Sequence, residues 1–122
     1  TNVTISGVLT LTNGELDFTG RTLTLNGTKV TVSGSLSSSS PTGTSLVIGG
    51  TGAFGSLAMG APNNQIGTFI MNRTTGGTLT NSGEIFIGTS LTLTNGTIVN
   101  SGNIIMDNNA TIFRNVAGAS IT

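Results

Sequence analysis

The chain has 122 residues, with four basic and four acidic side chains, 7% charged residues, and no His, Cys, Trp or Tyr. Sparse, balanced charge excludes the electrostatic footprint of a protein that binds nucleic acid or an anionic membrane. The missing His and Cys exclude His-based nucleophilic catalysis, zinc sites built on those ligands, and a disulfide framework.

Disordered chains combine low hydrophobicity with high net charge. Here the net charge is zero and apolar residues alternate regularly, so an ordered single domain over 1–122 is expected. No apolar run approaches the roughly 20 residues of a membrane span. No secretory leader is visible, and an opening on Thr1 reads as a processed protein or a piece of a larger one.

In chain order, glycines at Gly7, Gly14, Gly20, Gly27 and Gly34 separate VLTLT (8–12), ELDF (15–18), TLTL (22–25) and TKVTV (28–32). Each segment alternates and is rich in β-branched residues, as half-buried strands are. The breaks, mostly Asn-Gly or Ser-Gly, turn the chain sharply. Leu9, Leu11, Leu16, Phe18, Leu23, Leu25, Val30 and Val32 are the expected inward positions. The stretch 35–64 breaks the rhythm: SSSSPTGT (37–44) reads as a loop, and GGTGAFGSLAMGAPNN (49–64) as irregular chain. Later coils are expected to contribute Leu46, Ile48, Phe69, Met71, Ile85, Ile87, Leu91, Leu93, Ile98, Ile104, Met106 and Ile112 to the inside. Interleaved threonines are expected to face out and stack as ladders.

Two architectures fit short strands and tight turns. Asn-Gly suits hairpins in an antiparallel sandwich or barrel; the same breaks also suit the corners of a β-solenoid. Self-similarity favours the second. LTLTNG occurs at Leu9–Gly14 and again at Leu91–Gly96, 82 positions later. Three segments of about seven residues make a triangular coil of about 20, and 82 is close to four such coils. The expected fold is therefore all-β: a parallel β-solenoid of about six coils, about 30 Å tall at ~4.8 Å per coil.

LTLTNG, TLTLNG (22–27), LVIGGTGAFGSLAM (46–59), FIMNRTTGGTLT (69–80) and SLTLTNG (90–96) occur in that order. The succession resembles the Thr/Asn/Gly-rich strand repeats of very large secreted and cell-surface proteins of the Bacteroidetes. Those proteins look like β-solenoid stalks or adhesins, usually exported with a C-terminal sorting domain. The resemblance implies an extracellular or cell-surface location and supplies no catalytic residues. No sorting domain is present in these 122 residues.

The strongest catalytic pattern is Glu15 with Asp17, two carboxylates sharing one face of a strand. The same spacing is that of two solvated side chains flanking an inward Leu16, weakly neutralised by Lys29 or Arg21 one coil on. The solvated face is the expectation, so no enzyme is predicted. Asp107 beside Asn108 and Asn109 falls short of the six to eight oxygens calcium takes; a corner with an asparagine ladder is expected there, and no cofactor or metal.

A solenoid without capping elements leaves unpaired strand edges over an open core. TNVTISG and AGASIT are both strand-like, so Val3 and Ile5 at one end and Ala119 and Ile121 at the other are the expected assembly residues. The expected partners are copies of the chain stacked head to tail, or adjoining repeats of a longer chain, forming a filament or stalk. The alternative is an adhesin module whose Thr/Asn faces bind surface glycans.

Overall fold

A computed structural model describes residues 1–31, 33–115 and 118–122. Val32 and the side chain of Val30, both expected inside, lie outside the described residues. Fifteen strands and no helix make up the regular structure of the described residues, and every pairing among them is parallel. This is a β-solenoid of about five turns, with equivalent positions about 22 residues apart. The antiparallel sandwich or barrel is excluded.

The chain visits three sides in turn. Side one carries β1 (Val3–Ile5), β4 (Thr22–Leu25), β7 (Ser45–Ile48), the second halves of β9 (Met59–Asn72) and β11 (Glu84–Asn95), and β14 (Thr111–Arg114). Side two carries β2 (Leu9–Leu11), β5 (Lys29–Thr31), β8 (Thr51–Leu57), β10 (Thr74–Asn81), β12 (Thr97–Asn100) and β15 (Ser120–Ile121). Side three carries β3 (Glu15–Asp17), β6 (Ser35–Ser39), the first halves of β9 and β11, and β13 (Asn103–Met106). The strands β9 and β11 are long because ladder bonding continues around the corner between sides three and one.

Parallel, in-register pairing stacks each inward residue on its counterpart one coil away. On side one, Val3, Leu23, Leu46, Phe69, Leu91 and Ile112 form one column, and Ile5, Leu25, Ile48, Met71 and Leu93 a second. Most expected core residues are buried; Leu9, Leu16, Ile104 and Met106 are partly buried against the core. Leu36, Phe54, Leu57, Met59, Ile66 and Leu79 join them, all buried.

Three expectations are corrected. The stretch 35–64 is largely strand: SLSSS is β6, and β8 and half of β9 follow. The buried Ser38 hydroxyl donates to Thr44 Oγ1 (2.9 Å), which accepts from the Gly20 amide (2.8 Å), whereas the buried Ser37 hydroxyl has no hydrogen-bond partner among the described residues. Pro62, which cannot donate to a ladder, falls in the register shift between Leu36↔Met59 and Ser38↔Asn64. Second, the two LTLTNG copies are not equivalent in space. Leu9 pairs with Lys29 on side two, whereas Leu91 pairs with Phe69 and Ile112 on side one. With coils of about 22 residues, 82 falls about one side short of four coils. Third, the outward rows are not uniformly threonine. Thr22, Ser45, Thr68, Ser90 and Thr111 form a hydroxyl row on side one, but the next row runs Thr4, Thr24, Val47, Ile70, Thr92, Phe113.

Corners are close-packed from layer to layer. A Cβ on Gly102 would overlap the Gly83 carbonyl one coil below, whereas one on Gly7 would meet nothing. Gly102→Ala should therefore lower the unfolding free energy by about 1–3 kcal/mol, the usual cost of overpacking. Gly7→Ala should stay within about 0.5 kcal/mol of the parent. Paired denaturant titrations check this, and equal effects at the two sites would refute it.

Candidate functional site

Residues at inward positions are covered through the middle of the stack and uncovered at its ends. Val3 shares a column with Leu23, which is 2% exposed, yet is itself 48% exposed. At the other end Ile112 shares a column with the fully buried Leu91 and is 58% exposed. Ile121 is uncovered above the buried Ile98, and Ile104 and Met106 are half-covered above the buried Ile85 and Ile87. The cause is positional: these side chains are core residues with a coil on one side only.

The first-coil end is concave. Val3, Ile5, Leu16, Phe18 and Leu23 line a mostly apolar hollow of about 300 Å³. The last-coil end presents Ile112, Phe113, Ile121 and Ile105. Of the four expected assembly residues, Val3, Ile5 and Ile121 stand at these ends. Ala119 does not: it is 1% exposed, because the chain turns at Gly118 (φ 97°) and carries the small side chain into the core. Missing from the sequence expectation are Ile104, Met106, Ile112 and Phe113, which their alternation marked only as core or surface. Knowing that they belong to the last coil requires the pairing.

The acidic pair is solvated. Glu15 and Asp17 are exposed on β3, stacked over Ser35 and Ser37. The Asp17 carboxylate accepts hydrogen bonds from the Thr19 hydroxyl (2.6 Å) and the Thr19 amide (2.9 Å). These two bonds, the hydroxyl's first, hold its pKa below the ordinary carboxylate value. That is the opposite of what a general acid requires. Asp107 accepts from the Asn108 amide (2.8 Å) in a tight corner, and no group of three or more potential metal-ligating side chains occurs among the described residues. Asparagine ladders lie elsewhere: Asn95 Nδ2 donates to Asn72 Oδ1 (3.0 Å), and Asn81 Nδ2 to Asn100 Oδ1 (2.8 Å).

Two cations turn inward, which their sequence neighbours concealed. Arg73 is 1% exposed at a corner, its guanidinium donating to the carbonyls of Gly52 (2.6 Å), Asn26 and Ala53 (both 3.3 Å) and Gly49. Its Cζ lies 5.5 Å from the centre of the Phe54 ring. The planar fork thus joins three successive coils, a geometry an ammonium cannot reproduce. Lys29 occupies the register of Leu9, and its Nζ donates to the Ser56 carbonyl (3.0 Å). Burial lowers its pKa.

Comparison with protein-family models, curated proteins and solved structures finds no match for this chain.

Arg73→Met should destabilise the fold by about 3 kcal/mol or more, since it leaves several buried carbonyls without donors. A urea titration measures it, and a neutral result would refute the pinning role. Lys29, the only lysine, gives a signed pH effect. With its folded pKa below the unfolded value near 10.5, the unfolded state binds more protons between the two. Stability should therefore rise with pH through that window, and Lys29→Met should abolish the rise.

Proposed function

We propose that the chain is a structural segment of an extracellular or cell-surface filament or stalk, extended head to tail through the uncovered ends of its solenoid. One observation carries this reading: inward-facing core residues, Val3 and Ile112 above all, are solvent-exposed at the two ends. Exposed parallel edges over an apolar core are templates for a further coil. Low charge supports close association, because little repulsion opposes it. The location rests on the resemblance to Bacteroidetes surface repeats. The chain has no enzymatic role in this proposal; its work is mechanical, with interstrand hydrogen bonds aligned along the pulling axis.

The second reading, an adhesin module for surface glycans, is favoured by the hydroxyl row Thr22, Ser45, Thr68, Ser90 and Thr111, presented in register along side one. Against it, Phe18, Phe54 and Phe69 are buried, which leaves few rings as stacking platforms for sugars.

Electron microscopy and sedimentation over rising concentration test the proposal. The chain should form unbranched fibres about as wide as one solenoid, and Val3→Lys or Ile112→Lys should hold it monomeric by placing an unpaired charge in the joint. A chain that stays monomeric and binds glycans on an array would replace the filament with the adhesin.

A further inference from the structure

The corner between sides two and three carries small residues in three successive coils, Gly34, Ala58 and Ser82. With no bulk to fill it, the corner opens into a cleft of about 340 Å³, lined by Lys29, Ser35, Ser56, Ala58, Met59 and Ser82. The cleft lies on the flank of the stack, away from both ends.

Its chemistry starts from the one lysine of the chain. Lys29 stands in an inward register and is 7% exposed. Above it, β8 gains a residue between Ala53 and Ser56, and Gly55 takes a φ of 108° there. A Cβ on Gly55 would come within 2.9 Å of the Lys29 carbonyl oxygen, so β8 runs close against β5 at this point. The Ser56 carbonyl just past that bulge accepts from Lys29 Nζ (3.0 Å), which holds the ammonium toward the corner. Ser56 Oγ and Ser82 Oγ lie 2.7 Å apart, and Ser35 brings a third hydroxyl. Ala58 and Met59 give the cleft its apolar wall.

A concave, partly apolar site with a few converging polar groups and a buried ionisable one has the form of a small-molecule pocket. Its volume is at the small end for such sites and suits a single sugar-sized ring. A cation held away from bulk water gains most from an anionic oxygen. Serine oxygens carry lone pairs that can accept from the hydroxyls of a ligand.

We infer that this cleft binds a small hydroxyl-bearing carboxylate, an acidic monosaccharide by class, with the carboxylate on Lys29 and the ligand hydroxyls on Ser35, Ser56 and Ser82. The inference goes beyond the filament reading and does not depend on it. Glu15, stacked on Ser35, opposes such a ligand through its like charge. Its effect is small, because Glu15 is exposed and screened by water and salt.

A single lysine makes the test selective, since its side-chain resonances are unique in the spectrum. In nuclear magnetic resonance titrations below fibre-forming concentration, glucuronate should shift the Lys29 Cε and Nζ signals saturably. By bringing an opposite charge to the ammonium, it should also raise the Lys29 pKa. Glucose has the ring and hydroxyls without the charge, and sulfate has the charge without the ring. Each should bind about tenfold more weakly or worse. Glu15→Gln, a change on a solvated side chain, should tighten glucuronate binding about twofold. Lys29 signals that ignore glucuronate, or that respond equally to glucose or to sulfate, overturn the inference. A Glu15→Gln variant that binds glucuronate more weakly also overturns it. None of these results bears on fibre formation, so the filament reading stands or falls separately.

Discussion

Every strand in this protein lies parallel to its counterpart one coil away, and its backbone amides and carbonyls are satisfied only if that counterpart keeps register. This constraint governs the side chains. What stands at one position must tolerate the same position about 4.8 Å above and below. Apolar residues do so readily, as the column Leu23, Leu46, Phe69, Leu91 illustrates. Charges do not, since like charges directly opposite on neighbouring strands repel. Sparse charge is a consequence of the fold, and the charges present avoid one another: Glu15 stacks on Ser35, Asp17 on Ser37, and Glu84 on Asn103.

The exceptions to the stack sit where the ladder permits them. Arg73 is tolerated in the interior because it stands at a corner, where carbonyls of the two preceding coils converge and accept its donors. Extra residues around Pro62 are taken up in a bulge without disturbing the columns on side one, which regain register by Phe69. Repetition thus absorbs local irregularity so long as the inward columns and the ladder on either side are preserved.

The constraint has no natural end. A coil that is fully bonded below presents the same unbonded edge above, so the middle of the stack and its two ends are built from the same residue types in different circumstances. In the proposed filament the joint would be the interior of the fold continued, with no dedicated binding surface.

Alternation and glycine spacing in the sequence determined the strand segments, most inward residues and the parallel solenoid, because period-two burial and tight corners are local properties. The solvated character of Glu15 and Asp17 was legible for the same reason. Several features only the tertiary structure decided. SLSSS reads as loop until its Ser38 hydroxyl is seen to donate to Thr44; the burial of Arg73 and Lys29 depends on carbonyls of other coils, which their own neighbours in sequence do not record. The two LTLTNG copies read as equivalent until coils of about 22 residues place them on different sides. That Ile104, Met106 and Ile112 lie uncovered beside Val3 and Ile121 was not legible, because an inward residue is the same letter whether or not a coil covers it. Stacking partners lie some 22 residues away. No local pattern records which of them are present.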